Sequence, residues 1–242
     1  MTLRIAMWSG PRNLSTALMR SFSSRADTFV SDEPFYGCFL KDNSAGHPMQ
    51  AEVIAAMDCD WQSVMASLRA PPSEDRPVWY QKHMWHHMTG PVGYDDFAGF
   101  THAFLIREPE RMIASYLRQR EAAAFENFGM DRQAEFFERE ADRLGHAPPV
   151  IDAPDVLVDP QAVLTRLCEA LGIPWDMAML SWPPGRRDTD GPWAAHWYGA
   201  VEASTGFGPP ESAPEALPDD AQRVADRCRP YYERLAAHRL SR

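Results

Sequence analysis

Only four cysteines occur in the 242 residues, at 38, 59, 168 and 228, and no two form a CxxC pair. That scatter excludes a zinc knuckle or a disulfide framework and suits a reducing compartment. No stretch approaches the roughly 20 apolar residues of a membrane span, and the apolar positions near the N-terminus are too few for a signal segment. Positive charge is in short supply too: 24 Lys and Arg stand against 34 Asp and Glu, a formal net charge of −10. A protein that coats nucleic acid or an anionic membrane would meet its partner against that field, so neither is expected as a partner; a local basic cleft is compatible with it. Low-complexity tracts and internal repeats are missing as well. Together these absences predict a cytoplasmic globular protein.

What is present fits an ordinary folded core, with 45% hydrophobic and 24% charged residues, and the length predicts one domain spanning 1–242. Residues 3–8 read as a buried strand, broken by Ser9-Gly10-Pro11-Arg12-Asn13 before helical spacing begins at 15–22. Residues 28–31 form a second short strand ending at Asp32-Glu33-Pro34, where the proline predicts an extended Glu33. Further strands are expected at 78–82, 102–106 and 149–152, each of the first two followed by a segment with helical potential. This alternation predicts an α/β fold, a three-layer α/β/α sandwich around a mostly parallel sheet of about five strands. Ligands of such sheets gather beyond the carboxyl ends of the strands, where Arg12, Glu33, Lys82 and Arg107 fall. Segments 42–49, 70–77 and 206–218 read as loops or lids, and 217–242 as a closing, packing helix with Val224, Cys228, Tyr231 and Leu235 on one stripe and a kink at Pro230.

The segment Gly10-Pro11-Arg12-Asn13-Leu14-Ser15-Thr16 lies between a strand and a helix N-terminus, where unpaired backbone N–H groups and the helix dipole favour an anion. Arg12 can fork onto phosphate oxygens while Ser15 and Thr16 donate hydroxyl hydrogen bonds. The alternative is an ordinary strand-to-helix turn capped by Ser15. The segment is not the GxxxxGK[ST] loop of nucleotide triphosphatases, because its lysine is missing, and this disfavours a Mg²⁺-dependent kinase.

Ser9-Gly10-Pro11-Arg12-Asn13-Leu14-Ser15-Thr16 resembles the 5′-phosphosulfate loop of sulfotransferases that use 3′-phosphoadenosine-5′-phosphosulfate, commonly written PRSGST in bacterial members. Phe104-Leu105-Ile106-Arg107-Glu108-Pro109, followed by Ser115, looks like that family's 3′-phosphate motif: a strand ending in R-x-P with a serine eight residues after the arginine. A third stretch, from Arg186-Arg187-Asp188 to Gly191-Pro192-Trp193-Ala194-Ala195-His196, is similar to the family's late R-K-G-x-x-G-D-W-x-x-H segment. Asn13-Leu14 stands where many members have Ser-Gly, Asp188 where they have glycine and Pro192 where they have aspartate. The resemblance covers residues 9–196 and implies a fold of the P-loop nucleotide-triphosphatase type. It implies Gly10, Pro11, Arg12, Asn13, Leu14, Ser15 and Thr16 on the donor's phosphosulfate, Arg107 and Ser115 on its 3′-phosphate, and Arg186 and Arg187 on the same phosphate. It further implies transfer to a hydroxyl or amine of a small-molecule acceptor without a metal ion.

In-line transfer needs a base at the acceptor and positive charge on the leaving phosphate. Arg12 and Lys82 are the candidates for the charge. Lys82-His83-Met84-Trp85-His86-His87 lies where many members carry K-x-H with a catalytic histidine, here shifted by one residue. His83 therefore comes first as base, His86 second, and Glu33 third because other branches use a glutamate. The alternative for the histidines is burial under a loop with backbone contacts. His83, His86 and His87 have the i, i+3, i+4 spacing of metal ligands but no carboxylate or cysteine partner, so no metal site is expected. Trp79, Tyr80, Trp85, Tyr94 and Phe97 are candidates either for an acceptor wall or for the core. Two further readings stay open: an ATP-dependent small-molecule kinase, and a non-catalytic nucleotide-binding protein.

Overall fold

Five parallel strands, in the order β2-β3-β1-β4-β5, form the sheet at the centre of a computed structural model that describes residues 2–43, 46–72, 75–214 and 216–240. The strands are β1 (Leu3–Ser9), β2 (Thr28–Asp32), β3 (Val78–Met84), β4 (Thr101–Ile106) and β5 (Val150–Asp152). Each lies where an apolar run predicts it, because a parallel strand covered on both faces is apolar nearly throughout. The helices are α1 (Ser15–Ser23), α2 (Tyr36–Asp42), α3 (Gln50–Ala56), α4 (Trp61–Arg69), α5 (Pro109–Leu117), α6 (Met130–Leu144), α7 (Ala153–Val158), α8 (Pro160–Leu171), α9 (Ala194–Trp197), α10 (Gly199–Glu202) and α11 (Asp219–Ala236). Of the predicted loops, residues 44–45, 73–74 and 215 lie outside the described residues, as do 241–242 of the predicted last helix.

Side chains leave a strand alternately up and down, so β1 feeds two cores. Ile5 and Met7 pack with Leu18, Met19 and Phe22 of α1 and with Tyr80. Ala6 and Trp8 join Trp85, Phe97, Phe104 and Phe136 on the opposite face. Trp8 is the hub there, stacking on Trp85 at 4.2 Å and on His83 at 4.6 Å. β3 is buried from end to end and yet carries Gln81, Lys82 and His83, a polar run in the middle of a sheet. Apolar burial cannot account for that run; it has to be held by partners.

α11 runs on through Pro230, with Ala221, Ala225, Cys228 and Leu235 buried on one face. Beyond it, Leu240 N donates to Val150 O at 2.8 Å, and Arg239 bridges Val150, so the end of the chain covers the open edge of β5. Among the described residues no helix is long and apolar enough to cross a membrane.

Candidate active site

A cleft of about 1310 Å³ opens over the carboxyl ends of the strands, lined at one side by the loop after β1 and at the other by Glu33, Lys82 and His86. The loop turns sharply: Arg12 and Leu14 adopt left-handed backbone, with φ of 62° and 69°. For residues bearing a Cβ this costs about 1–2 kcal/mol each, strain of the kind that collects at binding sites. Gly10 beneath the loop is closely packed: a Cβ there would come within 3.2 Å of the Phe128 carbonyl oxygen, which would have to give by a few tenths of an ångström. Asn13 is buried and its Nδ2 reaches toward Leu105 O at 3.5 Å, tying the loop to the end of β4. Leu14 at the N-cap offers no side-chain acceptor, and the first turn of α1 carries no acid, so its N–H groups face the cleft without an internal anion.

Arg107 at the end of β4 and Ser115 on α5 meet this loop. Arg12 Nε donates to Ser115 Oγ at 3.2 Å, and Arg107 Nη1 donates to the Arg12 carbonyl oxygen. Burial, followed by the charges of Arg107 and Arg118, lowers the Arg12 pKa; burial, with smaller contributions from Arg118 and Arg111, lowers that of Arg107 even though Glu211 opposes it. Arg107 Nε is buried without a hydrogen-bond partner. Three guanidinium groups thus share one end of the cleft at some cost to each other, an arrangement that an anion between them would relieve.

The other side is built differently. Lys82 Nζ donates to Asp32 Oδ1 at 2.9 Å, Glu33 Oε1 at 2.6 Å and Tyr198 OH at 2.7 Å. Tyr198 OH in turn donates to Asp32 Oδ2 at 2.7 Å and accepts from Trp193 Nε1 at 3.1 Å. Burial is the largest single influence on Lys82 and pulls its pKa down, but Asp32 and Glu33 together hold the ammonium well above its usual range. Burial raises the Glu33 pKa, with Lys82 opposing. Glu33 was expected to be extended ahead of Pro34; it is left-handed instead, with φ of 44°. Its N–H donates to Lys82 O at 3.0 Å and its carbonyl accepts from Tyr36 N at 2.9 Å, so the chain turns at the strand end and points the carboxylate at the lysine. Tyr36, Phe39, His47, His87 and Trp197 line the remaining wall. Tyr36 stacks on His87 at 4.5 Å, its hydroxyl meets His47 Nδ1 at 2.9 Å, and Arg120 lies over the Trp197 ring at 4.9 Å.

The structure brings Pro11, Arg12, Asn13, Leu14, Ser15, Thr16, Arg107, Ser115, Glu33, Lys82 and His86 to this one cleft. It does not bring His83. Lys82 faces the α1 side of the sheet, so its neighbour must face the other side, and His83 is buried against Trp8 with Nε2 on Gln81 Oε1 at 3.1 Å. Burial pushes its pKa down to about 3. His86 does reach the cleft, but burial, and then His47 and Lys82, push it to about 3 as well. Lys82 has all three N–H donors taken by protein oxygens, leaving none for a phosphate. Arg186 and Arg187 stay outside, with Arg187 Nη2 on Pro183 O at 2.6 Å and Arg186 reaching back to Gly191 O at 3.5 Å. Their turn is held by Asp190, which accepts from Arg187 N at 2.7 Å and is buried against Arg20 of α1 at 2.6 Å. Trp79, Tyr80, Trp85 and Phe97 belong to the core, with Tyr94 packed against it, and the aromatic wall comes from Tyr36, Phe39, Trp193, Trp197 and Tyr198. Sequence reasoning missed Tyr198, Asp32 as a lysine partner, Arg118 and Glu211. No local signal marks the first, which sits 116 residues from Lys82.

Comparison with known proteins agrees with this architecture. Among curated proteins, the chain is 32% identical over 234 residues to branched-chain-amino-acid aminotransferase-like protein 2 of Arabidopsis thaliana, covering 97% of this chain and 41% of that one. It is 33% identical to the like-named protein 1, covering 97% and 42%. It therefore spans about two fifths of the length of the curated relatives it matches. In fold it is similar to the sulfotransferase domain from the Synechococcus PCC 7002 olefin synthase, with a TM-score of 0.53, 17% identity and coverage of 93% of this chain and 94% of the other. The sequence profile of the sulfotransferase domain matches residues 3–239, from the first strand to the segment that covers β5. On that match over nearly its whole length, the chain belongs to the sulfotransferase domain family.

Proposed function

We propose that the protein moves a sulfuryl group from 3′-phosphoadenosine-5′-phosphosulfate to a hydroxyl or amine of a small molecule, with Glu33 as the base. The observation that carries this reading is the meeting of Arg12, Arg107 and Ser115 with the open N-terminus of α1, in the same cleft as Glu33. The loop and Arg12 would take the 5′-phosphosulfate, and Arg107 with Ser115 the 3′-phosphate. In the step itself, the acceptor oxygen or nitrogen forms a bond to sulfur while the bond from sulfur to the bridging phosphate oxygen breaks. The acceptor proton passes to Glu33, and the electron pair stays on the released 3′,5′-adenosine bisphosphate, where Arg12 and the helix N–H groups balance its charge.

Glu33 is favoured over the histidines because it lines the cleft and burial makes its carboxylate more basic, whereas His83 faces the opposite side of the sheet. Lys82 acts as a positioning residue: at 2.6 Å it aims Glu33, and its charge opposes the burial that raises the Glu33 pKa. A transferred sulfuryl carries less negative charge than a γ-phosphoryl, so arginine and backbone dipoles suffice without a divalent ion. The formal net charge of −10 supports a small molecule over nucleic acid as acceptor.

Calorimetric titration tests the reading. Binding of 3′,5′-adenosine bisphosphate without added metal is the expected result. Binding of ATP only, and only with Mg²⁺, would replace it with a small-molecule kinase.

A further inference from the structure

The segment between α10 and α11 crosses the donor side of the cleft, where Gly206, Gly208 and Glu211 line its wall. It is anchored at one end, where Gly206 bridges Ser181 and Phe207 packs edge-on against Trp182 at 5.2 Å, and at the other by the start of α11 at Asp219. Between these anchors, among the described residues, the hydrogen bonds that hold it come from two arginines. Arg107 Nη2 pairs with Glu211 Oε1, Arg111 Nη1 donates to Ser212 O, and Glu211 Oε2 lies 3.8 Å from Arg111 Nη1. Arg111 Nε is held by Glu108 Oε2 at 2.9 Å, which fixes the direction of its guanidinium.

A carboxylate held by two guanidinium groups has the charge and the paired oxygens of a phosphate edge. Glu211 therefore sits as the chain's own anion on Arg107, the residue to which the reading above assigns the donor's 3′-phosphate. Two anions cannot share Arg107 without strong mutual repulsion in a half-buried site. The segment has few other attachments, so releasing Glu211 needs no change in the sheet or in α5.

We propose that Glu211 is an internal competitor for the donor's 3′-phosphate: it latches the 206–214 strap onto Arg107 and Arg111, and a 3′-phosphorylated nucleotide displaces it and takes both arginines. Glu211 thereby sets donor affinity, and Arg111 becomes a second ligand of the same phosphate. This inference rests on the donor assignment, and the experiment separates the two.

Wild type, Glu211→Gln and Glu211→Ala are titrated calorimetrically with 3′,5′-adenosine bisphosphate and with 5′-AMP. Removing the competing charge should tighten the bisphosphate about tenfold in both variants and leave 5′-AMP within about twofold. In parallel, proteinase K cleavage within 206–214 of the wild type should accelerate on adding the bisphosphate and not on adding 5′-AMP. Bisphosphate binding that is unchanged or weaker in both variants, or a strap that the bisphosphate protects, would overturn the latch while leaving the donor assignment standing. Failure of all three proteins to bind the bisphosphate would overturn the donor assignment, and the latch with it.

Discussion

The two sides of the cleft handle charge in opposite ways. On the donor side burial, and then neighbouring arginines, lower the pKa of both Arg12 and Arg107, and the acid that answers them is Glu211 on a crossing strap. On the acceptor side Lys82 is fully spent on Asp32, Glu33 and Tyr198, all within 2.9 Å. A set of cations whose one balancing acid sits on a crossing strap is built to be completed by a ligand. A cation wrapped in carboxylates is complete already, and what it offers a substrate is an aimed oxygen rather than a positive charge. The difference separates binding from chemistry, and substitutions on the two sides should fail in different ways.

The largest effect is expected from Glu33→Gln, which should lower turnover by about 10²- to 10⁴-fold with bisphosphate affinity unchanged in calorimetry. In the wild type the rate should rise with pH through the raised Glu33 pKa, because only the carboxylate can take the proton, and the variant should lose that limb. Next comes Lys82→Met. The side chains of Lys82 and Asp32 are each only 1% exposed, and removing the cation leaves buried carboxylates unpaired. A loss of about 3–5 kcal/mol in denaturation free energy is expected, equal in the presence and absence of inorganic sulfate.

A smaller effect, away from the cleft, calibrates that one. Asp152 at the end of β5 accepts from Tyr232 OH at 2.7 Å, while its Oδ1 is buried without a partner. Burial raises its pKa from 3.8 to about 6, so the folded protein holds this proton more tightly than the unfolded chain does. That contribution to stability is complete below about pH 4 and is lost as the pH rises through 6. Asp152→Asn should therefore gain about 1–3 kcal/mol at pH 7 relative to its effect at pH 4, measured by denaturant unfolding at both values. The smallest effect is expected from His83→Gln, with a rate within about threefold of wild type and the same pH profile, since His83 touches Trp8 and Gln81 rather than the cleft.

The sheet and the donor loop were legible in the sequence because both are local patterns: five apolar runs between turn residues, and a Gly-Pro-Arg break just ahead of a helix. Arg107 and Ser115 were legible for a related reason, since a strand end and the following helix fix their distance. The acceptor side was legible only in part. Lys82 and His83 are adjacent in a strand, so they cannot both enter the cleft; that parity was available in the sequence and would have argued for Glu33 over His83. The fate of Arg186 and Arg187 was not available, because their turn is held by an ion pair between Asp190 and Arg20, 170 residues apart. Glu211 was hidden in the same way, 104 residues from Arg107 in a stretch with no periodicity.

The donor assignment depends most directly on Arg107. The decisive measurement is the ratio of affinities for 3′,5′-adenosine bisphosphate and 5′-AMP, by calorimetry, in the wild type and in Arg107→Ala. The wild type should prefer the bisphosphate by about ten- to a hundredfold, the worth of a charge-assisted contact, and the variant should lose most of that preference while keeping its affinity for 5′-AMP. An equal loss for both nucleotides, or an unchanged preference, would remove Arg107 from the phosphate and contradict the account.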